Sequence, residues 1–105
     1  MIWWFTGNSG AGKTTLAQRM GNVIVLDGDD LRYVWKLGFS KEDRWEQNLR
    51  AAKLARLLHR QGYDVVVSTI CPYRELRKEV QAMTGCKFVY LDGGKEPTEE
   101  YPYER

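Results

Sequence analysis

Gly7-Asn8-Ser9-Gly10-Ala11-Gly12-Lys13-Thr14 fits the pattern G-x-x-x-x-G-K-[ST] at every required position. The apolar run Ile2–Phe5 leads into it and a helical pattern over Lys13–Met20 follows. That is the context the pattern needs, a strand turning through a glycine loop into a helix. Glycines let the backbone fold its N–H groups around a phosphate, and the helix N-terminus adds partial positive charge. Lys13 is expected to reach the β- and γ-phosphates of a nucleoside triphosphate, and the Thr14 hydroxyl to ligate Mg²⁺. The plainer reading, a glycine-rich turn with a chance lysine, does not account for the strand before and the helix after.

The same alternation continues along the chain. Val23–Leu26, Val65–Val67 and Phe88–Leu91 are short and continuously apolar, as strands buried on both faces are. Between them fall an irregular helix over Asp30–Leu37, a long helix from Ser40 to about Gln61, and a last one over Tyr73–Met83. The order β-α-β-α-α-β-α-β predicts an α/β three-layer sandwich: a parallel sheet of about four strands, ordered 2-3-1-4, with helices on its faces, in the P-loop fold. Ser40 with Asp43 resembles a capping box, and Gly62 supplies a left-handed stop. Trp45, Leu49, Ala52, Ala55 and Leu58 recur at helical spacing as the expected buried stripe. Residues 1–105 read as a single domain, with 93–105 an irregular tail of weak structure.

Composition narrows the function. The 105 residues are 43% hydrophobic and 29% charged, which excludes a disordered tail. No run of about 18 apolar residues predicts a membrane span. Sixteen Lys+Arg against fourteen Asp+Glu leave a net charge of +2, too small to argue for nucleic acid. Met1 runs directly into Ile2-Trp3-Trp4-Phe5 without a basic flank, so a cytoplasmic chain with no leader is expected. Cys71 and Cys86 should be free thiols at opposite ends of neighbouring parallel strands. Trp3 and Trp4 must face opposite sides of the sheet as core. His59, the lone histidine, reads as solvated, and Arg74, Arg77 and Lys78 as either a solvated helix face or a group near phosphates.

The second strand ends in Leu26-Asp27-Gly28-Asp29-Asp30-Leu31-Arg32. Ligands in open α/β sheets bind outside the carboxyl ends of the strands. Phosphoryl transfer needs a carboxylate there to position Mg²⁺ or take the proton of the attacking hydroxyl, and Asp29 is the candidate. Asp27 and Asp30 read equally well as turn and N-cap residues. Arg32, one turn along, suits bidentate clamping of an anion.

At this point the sequence resembles the adenylylsulfate kinase family. The resemblance is carried by Trp4-Phe5-Thr6-Gly7 running into Ser9-Gly10-Ala11-Gly12-Lys13-Thr14-Thr15-Leu16-Ala17, then Leu26-Asp27-Gly28-Asp29, Leu31-Arg32, Leu37-Gly38-Phe39-Ser40, Glu42-Asp43-Arg44, Ile70, Pro72-Tyr73-Arg74 and Arg77. It implies a kinase that transfers the ATP γ-phosphoryl to the 3′-hydroxyl of adenosine 5′-phosphosulfate, with Mg²⁺. Its partner is then a small molecule, and a homodimer is compatible with it. Gly7, Asn8, Ser9, Gly10, Ala11, Gly12, Lys13, Thr14 and Thr15 would bind the nucleotide, and Thr14 and Asp29 the metal. Lys13 and Asp29 would be catalytic. Asp29, Arg32, Phe39, Arg44 and Ile70 would contact the acceptor: the arginines its phosphosulfate, Phe39 its adenine, Ile70 through its backbone. Arg44, a cation in the first turn of a helix, is unfavourable to the dipole unless an anion joins it. Phe39 reads alternatively as a hydrophobic staple.

The departures bear on the same site. The segment between Arg32 and Phe39 is a little shorter than the family pattern. Gln47 stands where the family has Asn, and Asn48 lies close to the same face, so either amide could serve. Ile-Ser-Pro has become Ile70-Cys71-Pro72. The family's basic lid and second aromatic clamp are missing: Gly93-Gly94-Lys95 leads almost at once to Tyr101-Pro102-Tyr103-Glu104. Lys95 is the remnant of the lid's charge, and a loss of water exclusion with low activity is expected. A kinase for another small-molecule hydroxyl and a non-catalytic ATP-binding module are the rival readings.

Overall fold

The computed structural model describes residues 1–8, 10–99 and 102–105. Its elements are β1 (Ile2–Thr6), α1 (Lys13–Gln18), β2 (Ile24–Asp27), α2 (Gly28–Trp35), α3 (Lys41–Arg60), β3 (Val65–Ser68), α4 (Arg74–Thr84) and β4 (Lys87–Tyr90). The strands form one parallel sheet in the order β2-β3-β1-β4, as the alternation of runs predicts. Among the described residues no helix is long and apolar enough to cross a membrane.

Val65, Val66 and Val67 of β3 are fully buried, because α-helices cover both faces of a strand already paired on both edges. Burying each valine contributes roughly 1.5–3 kcal/mol. One face of the sheet packs Trp4, Leu26, Val65 and Val67 against Leu31 of α2, Ala51, Ala52 and Ala55 of α3, and Leu76 and Val80 of α4. The other packs Phe5 and Val66 against Ala17 of α1, with Trp3 and Val25 beside them. Trp3 and Trp4 therefore do serve opposite faces.

Several local expectations change. α1 ends at Gln18, short of Met20. α2 is a regular eight-residue helix starting at Gly28, because the Asp27 carboxylate caps it by accepting from the Asp29 N–H. Ser40 caps α3 by accepting from the Asp43 N–H (3.1 Å), but the reciprocal half of the box is absent: Asp43 Oδ2 accepts from the Gly38 N–H instead (2.8 Å). Gly62 does adopt positive φ, +98°, just beyond α3. The face that α3 buries carries Gln47, Asn48, Ala51, Ala52 and Ala55, while Leu49 and Leu58 pack at its margin. Trp45 also lies at the margin, stacking on Tyr73 and donating to Glu79 Oε2 of α4 (3.1 Å). Small side chains bring the helix close to the sheet, and the bulky ones fill its flanks. Cys71 and Cys86 are free and buried, but β1 stands between the strands they adjoin. His59 is on the surface, 3.2 Å from the Met1 ammonium.

Gly7 is the tightest point of the frame. Its φ is +138°, and a Cβ there would lie 2.5 Å from the Leu91 carbonyl oxygen, just past β4. Backbone on both sides leaves nothing to yield. Gly7→Ala is expected to cost about 2 kcal/mol or more, read as a lower urea midpoint with unchanged slope.

Candidate active site

The parallel sheet delivers three segments to one end. Gly7–Gly12 follows β1, the start of α2 at Gly28 follows Asp27 at the end of β2, and Thr69–Pro72 follows β3. Between them and the start of α3 lies a cavity of about 320 Å³.

The loop end of the cavity is cationic. Gly10 and Gly12 take φ of +88°, and Gly12 begins α1 without a side-chain cap, so the first-turn N–H groups of that helix have no side-chain acceptor. Lys13 Nζ donates to the carbonyls of Gly7 (2.7 Å) and Asn8 (3.2 Å). Burial pulls the Lys13 ammonium below the ordinary lysine range, and the charges of Asp27 and Asp29 oppose that pull. A bound phosphate would supply the missing counter-charge.

Asp27 is the residue that sequence reasoning left as a capping candidate. One of its oxygens caps α2, and the other accepts from Thr14 Oγ1 (2.5 Å). A hydroxyl and a carboxylate in contact at the phosphate end suit Mg²⁺, which takes few protein oxygens and keeps water and phosphate for the rest. The carboxylate beside Thr14 is thus Asp27 and not Asp29. Asp29 is 93% exposed and paired with Arg32 (3.1 Å). The signal was available: Asp27 ends an apolar strand where such folds put ligands.

The far end takes its side chains from α2 and α3. The Arg32 guanidinium lies 4.2 Å above the ring of Phe39, which is 60% exposed and so is no staple. Arg44 in the first turn of α3 joins them on the cavity wall. The two amides separate by role. Asn48 spends both ends, donating to the Arg44 carbonyl (2.8 Å) and accepting from Thr69 Oγ1 (2.6 Å). Gln47 donates to the Gly28 carbonyl (3.1 Å) and leaves Oε1 without a partner. The Ile70 carbonyl accepts a hydrogen bond from Thr6 Oγ1.

Asn8, Gly10, Gly12, Lys13, Thr14, Thr15, Asp29, Arg32, Phe39, Arg44, Gln47, Asn48 and Ile70 therefore share one wall, while Gly7 and Ala11 stand off it. Ser9 lies outside the described residues. Sequence reasoning missed Gly28, Ser68, Thr69, Cys71, Pro72 and Pro102, which also line the cavity. Among the described residues, the buried polar side-chain atoms lacking a partner are Asn8 Oδ1, Arg32 Nε, Gln47 Oε1 and Ser68 Oγ, all on residues of this wall. Buried polar atoms normally find partners, so their convergence here marks a ligand site.

The tail corrects another expectation. It has no regular secondary structure among its described residues, yet Pro102–Glu104 is firmly docked. Tyr103 shares a hydrogen bond with Thr6 Oγ1 (2.9 Å), and the Glu104 N–H donates to the Pro72 carbonyl (2.7 Å). Arg77 donates to the carbonyls of Cys71 and Glu104, and Arg74 Nε to that of Arg105. The arginines of α4 thus hold the tail, Arg74 while still exposed on the helix face and Arg77 half-buried, and Lys78 stays on the solvated face paired with Glu75. Lys95 meets the loop through its carbonyl, which accepts from Asn8 Nδ2 (2.8 Å). Burial pushes the Cys71 thiol up to about 12, so it stays protonated.

A parallel sheet in this order, with a lysine-bearing glycine loop after its first strand and basic side chains of α2 and α3 on the same cavity wall, defines a P-loop kinase fold. The family model described as adenylylsulphate kinase matches residues 1–99, and the chain belongs to that family. The adenylyl-sulfate kinase of Picosynechococcus sp. (strain ATCC 27264 / PCC 7002 / PR-6) is 46% identical over 92 residues, covering 78% of this chain and 52% of the relative. That of Synechococcus sp. (strain JA-2-3B'a(2-13)) is 50% identical over 92 residues, covering 78% and 53%. The chain spans about half the length of the curated relatives it matches. The structure of the Mycobacterium tuberculosis APS kinase CysC in complex with AMPPNP and APS superimposes with a TM-score of 0.71 at 37% identity, covering 85% of this chain and 59% of that one.

Lys13→Ala should abolish tight triphosphate binding and leave the thermal midpoint unchanged, since Lys13 bonds only to loop carbonyls. Calorimetry measures both. In the wild type, a phosphate favours the ammonium that burial disfavours, so binding raises the Lys13 value again. Triphosphate affinity should therefore fall as pH rises through the lowered Lys13 value, below 10.5. Lys13→Arg, which stays charged, should flatten that profile.

Proposed function

We propose that the chain transfers the γ-phosphoryl of ATP to the 3′-hydroxyl of adenosine 5′-phosphosulfate. The observation that carries this reading is one cavity lined both by Lys13 and Thr14 of the glycine loop and by the basic side chains Arg32 of α2 and Arg44 of α3. Family membership supports it, as does the solved relative whose complex contains AMPPNP and APS.

ATP with Mg²⁺, when bound, supplies the transferable phosphoryl group. Thr14 and Asp27 would hold the metal. Lys13 would carry its ammonium from the loop carbonyls to the phosphates and offset charge spread over the transferring group. Asp29, at the rim between the two ends, would orient the acceptor hydroxyl and take its proton. Its present partner Arg32 would turn to the acceptor's phosphosulfate, with Arg44 opposite. Phe39 would stack on the adenine and Gln47 Oε1 would accept from a hydroxyl or amino group of the acceptor. Asn48 is engaged elsewhere, which leaves Gln47 as the amide of choice.

Between Asp92 and Tyr101 the chain carries Lys95 as its one cation against Glu96, Glu99 and Glu100. We infer that this segment cannot form a cationic cover, so water competes with the acceptor. Losing one donor of a preorganised site costs ~10²–10³ in rate, and transfer slower than in a lidded relative by at least that factor is expected. A second reading, a kinase for a different hydroxyl acceptor, draws on Gln47 replacing the family's Asn.

The test is a coupled assay with ATP, Mg²⁺ and a panel of acceptors led by adenosine 5′-phosphosulfate, counting phosphorylated acceptor against free phosphate. Phosphorylation of that acceptor, with free phosphate in excess, is expected. Turnover of another acceptor alone would establish the second reading. Asp29→Asn should keep ATP affinity while lowering kcat by about a hundredfold or more. Near wild-type turnover would remove Asp29 from the mechanism.

A further inference from the structure

Three buried polar side chains join in series beside the cavity. Trp4 Nε1 of β1 donates to Thr69 Oγ1 (2.9 Å), and Thr69 Oγ1 donates to Asn48 Oδ1 of α3 (2.6 Å). Asn48 Nδ2 donates in turn to the Arg44 carbonyl, one helical turn back (2.8 Å). Trp4, Asn48 and Thr69 are 0%, 3% and 4% exposed. The direction of each bond in the series is fixed. An indole N–H can only donate, so the Thr69 hydroxyl accepts it and spends its own proton on Asn48. The amide orientation follows, oxygen toward Thr69 and nitrogen toward the Arg44 carbonyl.

Packing alone does not demand this arrangement. The face of α3 against the sheet is built from Ala51, Ala52 and Ala55. Alanines let a helix come close and offer only a low ridge on that face, so the bulky residues that bear on its roll, Trp45, Leu49 and Leu58, sit at its flanks. Hydrogen bonds are directional and, in series at low dielectric, reinforce one another. They fall at the turn of α3 that carries Arg44 and Gln47, both on the cavity wall. Gln47 extends the brace sideways to the Gly28 carbonyl of α2 and keeps Oε1 unpartnered. The other end of the series is Trp4, on the strand that runs into Gly7.

We infer that Trp4, Thr69 and Asn48 are positioning residues that fix the roll of α3 and so aim Arg44 and Gln47 at the acceptor, in register with the strand that bears the phosphate loop; their effect on binding rests on the reading of this end of the cavity as the acceptor site. None of the three is asked to touch the reacting atoms. Removing the Thr69 hydroxyl breaks two bonds at once and lets that turn of α3 rotate. Misplacing a binding group by even an ångström is costly.

The experiment compares Thr69→Val, which keeps the shape, with Thr69→Ser, which keeps the hydroxyl, in the full chain. Calorimetry measures affinity for ADP and for adenosine 5′-phosphosulfate, and NMR follows the Gln47 side-chain amide without ligand. Thr69→Val is expected to weaken the acceptor about tenfold, to leave ADP within about twofold and to shift the Gln47 resonances, with Thr69→Ser restoring all three. A folded Thr69→Val with wild-type acceptor affinity, or one that loses ADP and acceptor alike, overturns the assignment. Should Thr69→Val fail to fold, Asn48→Leu is read by the same criteria. If the wild type does not bind adenosine 5′-phosphosulfate at all, the functional reading fails. The positioning role is then decided by the Gln47 resonances alone: a shift in Thr69→Val reversed in Thr69→Ser sustains it, and unmoved resonances refute it.

Discussion

β3 has neither a solvent face nor a free edge. Val65, Val66 and Val67 are fully buried between β2 and β1, and helices close both faces. A strand so enclosed fixes the register of its neighbours, since a slip by one residue would exchange every side chain between the two cores. With Asp27 opposite Ser68 and Phe5 opposite Ser68, the carboxyl ends of three parallel strands are level. The phosphate loop, the acidic turn of α2 and the Thr69–Pro72 segment all leave the sheet from that line. The site is a consequence of where an apolar strand has to stop.

The apolar frame was legible because its signals are local and strong. Four continuous apolar runs separated by helical spacings admit few topologies, and a lysine-bearing glycine loop between strand and helix admits one chemistry. What sequence could not show was the use of polar side chains at long range. The stripe on α3 was read from hydropathy, so Trp45, Leu49 and Leu58 were placed inward. Gln47 and Asn48 are inside instead, because Gly28 and Thr69 supply their partners across the fold. Asp27 illustrates the same point. A capping residue and a metal-side carboxylate look identical in sequence, and here one side chain does both, one oxygen for each task.

Electrostatics at the loop explain why the cavity suits phosphate. Lys13 is partly desolvated and bonded only to carbonyl oxygens, which are weak substitutes for an anion. Asp27 and Asp29 offset part of that cost from a distance. Arg32 at the opposite end keeps Nε buried without an acceptor. Lys13 and Arg32 are thus two cations, each incompletely satisfied, on the wall of one cavity.

The tail shows what a remote segment can and cannot contribute to such a site. α4 has no side-chain cap of its own, since its N-cap is Tyr73, and the Glu104 carboxylate takes that place by accepting from the Arg74 N–H (2.8 Å). Arg77 then clamps the Glu104 and Cys71 carbonyls and lies 4.8 Å over the Tyr103 ring. Arg74, Arg77 and Glu104 hold the tail to α4, and the Tyr103 hydroxyl ties it to Thr6 of β1. Among the described residues of the tail, Pro102 lines the cavity with an apolar ring. Pro102 adds apolar surface to the wall and brings no charge to it. That division follows from chemistry, because an arginine already satisfied by two carbonyls and an aromatic face has little left to give a phosphate.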